Sequence, residues 1–159
     1  MSHDVFLQCL DYGEAGICSP EETKACIALL KPVFPDGHDL SERGNITLPG
    51  GSNTEVNASF KNSAFESIMF HLRGFSDEMA AFIFKLAQAG DFIIFDTSGE
   101  GTPESPMAYA TTQAALDRMG IGEDEIPNPC LCESPEHFIQ MIRGGFEAWK
   151  SFRDSVLGD

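Results

Sequence analysis

Between Ser76 and Asp96 the chain reads SDEMAAFIFKLAQAGDFIIFD, and the spacing of its apolar residues changes once along the way. Met79, Phe82, Ile83 and Leu86 fall at the i, i+3, i+4, i+7 positions of a buried helix face. Ala80, Ala81, Phe84 and Ala87 widen that face, leaving Glu78, Lys85 and Gln88 as a narrow polar stripe. Ser76 can cap the helix with its hydroxyl, and Asp77 and Glu78 sit at the positive end of its dipole. Gly90 is expected to take the left-handed conformation that closes the helix. Phe92 to Phe95 is then apolar at every position, which predicts a short strand covered on both sides.

The same patterns place the other elements. Asp4 to Leu10 reads as a strand, followed by a loop from Asp11 to Gly16. Ser19-Pro20-Glu21-Glu22 opens a helix with a capping box and a proline at the first helical position. Its buried face is Thr23, Cys26, Ile27, Leu30 and Val33. Asn45 to Leu48 reads as a short strand. Glu55 to Phe60 and Phe65 to Leu72 both alternate, and Lys61 to Ala64 joins them as a hairpin. Thr112 to Met119 reads as a short helix and Cys130 to Cys132 as a short strand. Ser134-Pro135-Glu136 then opens a long amphipathic helix marked by Phe138, Ile142, Trp149, Phe152 and Val156. Gly144-Gly145 either weakens that helix or lets another backbone come close.

The order strand, helix, strand, strand, helix, strand predicts an α+β fold with a ferredoxin-like βαββαβ core: an antiparallel sheet with two helices on one face. Residues 1–159 are expected to form one domain, with 1–96 as the core. Residues 97–159 form an acidic loop and a C-terminal helical extension across the other sheet face.

Charge alters this picture more than composition does. Ten basic residues against 25 acidic ones leave a net charge of −15, which disfavours nucleic acid and anionic membrane surfaces and favours a basic partner. From Asp96 to Glu136 the acidic residues are opposed by Arg118 alone, so more than half of the net charge lies in about a quarter of the chain. No apolar run approaches the roughly 20 residues of a membrane span. The first residues show neither a basic flank nor a cleavable apolar core, so no secretion signal is expected, and five cysteines, an odd number, suggest reduced thiols in the cytoplasm.

Four stretches carry candidate chemistry. Asp96-Thr97-Ser98-Gly99-Glu100-Gly101 partly matches a calcium loop, but Met107 stands where the twelfth-position glutamate is required. The same loop has too many acids and prolines to cradle a phosphate. Cys130 and Cys132 point to one side of a strand and, with Cys18, Cys26 or His137, would complete a zinc site; their spacing is not that of paired zinc knuckles, so apolar packing is the expectation and no metal or cofactor is assigned. Cys9 and His71, taken to lie on parallel neighbouring strands, reach the same sheet end but face opposite sides, so no nucleophilic dyad and no catalytic residue is assigned.

Two functions remain. The first is a non-enzymatic, acidic, cytoplasmic domain that binds a basic protein through Glu100, Glu104, Met107, Tyr109, Glu123, Asp124 and Glu125. A bacterial toxin-neutralising immunity protein is a concrete example, by analogy of class alone. The second is a small enzyme or ligand-binding domain with a pocket between sheet and extension, lined by Gln8, His71 and Arg73. An uncovered sheet face would also favour a homodimer.

Overall fold

A computed structural model describes residues 3–12, 14–74, 76–119 and 128–157, without the side chains of residues 148, 149 and 157. The chain is a mixed α+β protein with a large, mostly antiparallel sheet. Its strands are β1 (His3–Gln8), β4 (Gly44–Thr47), β5 (Asn53–Lys61), β6 (Ala64–Leu72), β7 (Ile93–Asp96), β8 (Ala108–Ala110) and β9 (Cys130–Leu131), in the order β4-β5-β6-β1-β7-β8-β9. A two-stranded ribbon, β2 (Leu10–Asp11) with β3 (Glu14–Ala15), fills what reads as loop in the sequence. The helices are α1 (Pro20–Leu30), α2 (Asp77–Gly90), α3 (Gln113–Arg118) and α4 (Pro135–Leu157). Seven strands in this order exceed a simple βαββαβ sheet.

Local chemistry explains the element ends. Ser19 and Glu22 form a complete capping box at α1, with Pro20 in the first turn. Ser76 Oγ accepts the Met79 N–H, Thr112 Oγ1 accepts Ala115, and Ser134 Oγ accepts His137. The β5–β6 hairpin closes through Asn62 and Ser63, both left-handed as a tight two-residue turn requires. At the end of α2 it is Asp91, not Gly90, that turns left-handed. Gly90 serves packing instead, because a Cβ there would overlap the Phe92 ring.

Helices α1, α2 and α4 share one sheet face. Val5 and Leu7 of β1, Ile68 and Phe70 of β6, Ile83 and Phe84 of α2, and Phe138 and Ile142 of α4 join one core. The expectation that the C-terminal helix covers the opposite face is therefore corrected. The Phe138 ring lies 5.8 Å from Phe84 and meets Tyr109 edge-on at 5.2 Å. The doubly apolar strand does need two covers, but α3 supplies the second. Ile93, Ala108, Ala110 and Ala115 form a smaller cluster there, with Leu116 and Leu131 packed against it. Phe152 and Val156, expected on the buried face of α4, are exposed, so the packed part of the described face lies in the N-terminal half of the helix. No helix among the described residues is long and apolar enough to cross a membrane.

A further correction concerns β1 and β6, which pair antiparallel. Asp4 faces His71 and Gln8 faces Ser67. Cys9 and His71 thus sit at opposite ends of the pair.

Candidate functional site

The acidic loop after β7 is compact. Glu100 and Gly101 donate backbone hydrogen bonds to Ser105 O at 3.0 and 2.9 Å, Ser105 donates to Thr102 O, and Asn128 Nδ2 donates to Gly101 O. Glu100, Glu104 and Met107 are exposed on it. Tyr109 is not: it is 1 % exposed, because alternation along β8 sends Ala108 and Ala110 to the α3 side and Tyr109 into the main core. Its place in a docking surface is corrected on that ground. Burial, and then the Asp96 charge, push its phenol above the ordinary range. Glu123, Asp124 and Glu125 lie outside the described residues.

Gln8, His71 and Arg73 do not form a site. Gln8 donates to Cys9 O and Glu66 O. His71 Nδ1 bonds Asp4 Oδ1 at 3.0 Å, about 13 Å along β1 from Gln8. Arg73 is exposed beyond the end of β6. One cavity between the sheet and α4, bounded by Leu72, Met79, Ile83 and Ile142, is about 10 Å³, which is room for about one water at most. A larger cleft of about 500 Å³ lies between α1 and the β5–β6 turn; its walls are mostly apolar, and Lys24 is its ionisable cation.

Two buried clusters could be mistaken for catalytic centres. Asp96 Oδ1 accepts from the Ser98 amide at 3.0 Å and from Ser98 Oγ at 2.8 Å, and it bonds His3 Nε2. Ser98 Oγ also contacts His3 Nε2 at 2.9 Å. In a Ser–His–Asp triad, serine and aspartate occupy different ring nitrogens. Here they share one, the histidine and aspartate side chains are fully buried, and Phe146 stacks on the imidazole at 5.6 Å. The group is structural. It also explains Gly145: a Cβ there would stand 2.9 Å from Asp96 Oδ2, so the glycine permits the close helix approach. Asp96, the first position of the calcium-like pattern, thus spends its Oδ1 on His3 and Ser98.

Cys9 and Cys18 pack with their sulfurs 3.2 Å apart. Hydrogen bonding to Cys18 and then burial raise the Cys9 thiol well above its ordinary value. Hydrogen bonding to Cys26, with burial, raises Cys18. Such thiols stay protonated and unreactive.

Cys130, Cys132 and His137 come together differently. Their candidate ligand atoms all lie within 4.8 Å of one another, and the two sulfurs are 3.6 Å apart. Cys132 is buried, Cys130 is half-buried and His137 is exposed, which puts the cluster at the surface.

Glu78 has a defined structural task. Its carboxylate accepts the Gly50 and Ser52 amides at 2.6 and 3.2 Å. Desolvation opposes ionisation, but the hydrogen bonds from Ser52 and Gly50 outweigh it and lower the pKa below its ordinary 4.5. A depressed carboxylate contributes stability above that ordinary value and loses the contribution as pH falls through its folded pKa. Glu78→Gln is therefore expected to speed hydrogen exchange at Gly50 and Ser52 near neutral pH, with the difference from wild type vanishing in acid. Equal exchange at neutral pH would show that the clasp does not hold this turn.

No protein-family model, no curated protein and no solved structure matches this chain.

Proposed function

We propose that this protein is a non-enzymatic, cytoplasmic binding domain whose negative surface engages a basic protein partner, with a toxin-neutralising immunity protein as the concrete example by class analogy. The observation that carries the reading is the excess of exposed carboxylate: the net charge is −15, and Asp96 is the only buried acid among the described residues. Glu100, Glu104 and Met107 support it, since they project from a loop braced by its own backbone hydrogen bonds. A rigid acidic rim around an apolar anchor speeds association and loses little order on binding. The contiguous order β5-β6-β1-β7 is what supports reading the central strands as a ferredoxin-like nucleus with strands added at both edges. The half-buried row Met69, Phe6 and Phe95, on the face away from α1, α2 and α4, is where a second copy would dock.

Capture from native lysate at low salt tests the reading. The expected result is a basic protein that is released as salt rises. Glu100→Lys with Glu104→Lys should slow its association about 10-fold without changing the melting temperature. Unchanged association would remove this loop from the interface. Absence of any basic partner, with a small metabolite raising the melting temperature, would favour a ligand-binding domain instead.

A further inference from the structure

We propose that Cys130, Cys132 and His137 bind a zinc-class divalent ion, with two thiolates and one imidazole nitrogen as ligands and a fourth position open to solvent. The ligand geometry is close to what the ion requires. Tetrahedral zinc with Zn–S bonds of about 2.3 Å holds two sulfurs about 3.8 Å apart, and these sulfurs are 3.6 Å apart. An imidazole nitrogen at about 2.1 Å from the metal would lie about 3.6 Å from each sulfur. All three ligand atoms already fall within 4.8 Å, so a shift of about 1 Å in the exposed His137 ring completes the set.

The backbone beneath the ligands is fixed from both sides. Extended residues two apart point the same way, which brings the two thiols together. Strand β9 pairs with β8, and the Cys132 amide donates to Ala110 O at 2.8 Å. His137 lies in the first turn of α4, where its amide is capped by Ser134 and the next residue, Phe138, is fully buried. Core packing accounts for Cys132 and for part of Cys130, which packs against the core from its edge; it does not account for an exposed His137 converging on the two thiols. Two thiolates neutralise a divalent charge, which suits a half-buried site. Sulfur ligands select zinc over calcium or magnesium. The ion would tie β9 to the start of α4, and this holds whether or not the acidic loop docks a basic protein.

The test uses the full reduced chain, stripped of metal with a chelator and titrated with Co2+. One equivalent should produce sulfur-to-cobalt charge-transfer absorption and the intense visible bands of a four-coordinate ion, and Zn2+ should displace it. His137→Ala replaces an exposed side chain and Cys130→Ser a near-isosteric one at the edge of the core, so the fold should survive, as circular dichroism would report. Each removes a ligand outright and should weaken Zn2+ binding by more than about 100-fold, the upper end of what losing an outer-shell partner costs. Cys18→Ala, in the separate N-terminal thiol cluster, should leave binding unchanged. Absence of thiolate absorption, or binding that survives Cys130→Ser or His137→Ala intact, would overturn the site. So would binding that depends on Cys18.

Discussion

Phe138→Ala is expected to cost about 3–5 kcal/mol, the usual loss when a buried phenylalanine is truncated. Phe138 is fully buried, and its ring bridges Phe84 of α2 and Tyr109 of β8. Truncation would remove an aromatic pair on each side and leave a cavity that neither the sheet nor α2 can fill without moving. Against a total stability of roughly 5–15 kcal/mol, that loss is large. Phe152→Ala on the same helix is the internal comparison. Its side chain is 62 % exposed, so the change should stay within about 0.5 kcal/mol. Urea unfolding of the two variants checks the pair. Equal losses would mean that the C-terminal half of α4 is packed as firmly as the first half, contrary to the exposure of Phe152 and Val156.

That contrast also shows where sequence reasoning stops. The capping signals at Ser19, Ser76, Thr112 and Ser134 are local, and each marks a helix start. The hairpin turn at Asn62-Ser63 is equally local. The amphipathic face of α4 shows that the helix must be covered; periodicity carries no information on which sheet face does so. The demand of Phe92 to Phe95 for two covers is legible too, yet the second cover comes from the short helix α3, whose small alanines give a weak apolar signal. Strand β8 is three residues long and two of them are alanine, too few for alternation to register. Tyr109 reads as an exposed anchor because acidic residues surround it in sequence, while its true neighbours are set by pairing with Ile94.

The thiol–imidazole cluster was only partly legible. The spacing of Cys130 and Cys132 places two thiols on one strand face, but it leaves Cys18, Cys26 and His137 as equal candidates for a third ligand and favours apolar packing. What the sequence lacks is the direction of α4 leaving β9, which decides whether the imidazole swings back over the thiols. The converse holds for His3, Asp96 and Ser98. Nothing local links residues 93 positions apart; only the antiparallel register, with Val5 facing Asp96, puts them under Gly145.

That buried group is the second place where a large effect is expected. Asp96→Ala should cost about 3–5 kcal/mol, because removing one partner of a buried polar pair leaves the other desolvated and poorly compensated. The carboxylate holds His3 Nε2 and both polar groups of Ser98, while the stacked Phe146 ring and the α4 backbone close the site above it. His3→Ala should be costly for the same reason. The double variant His3→Ala with Asp96→Ala removes both polar partners together, so its loss should fall well short of the sum of the two single losses. A cycle measured by urea unfolding gives the coupling directly. Coupling of more than about 1 kcal/mol would establish that the two side chains act as one buried unit. Simple additivity would mean that Gly145 and the close approach of α4 serve packing alone, with the pair contributing nothing of its own.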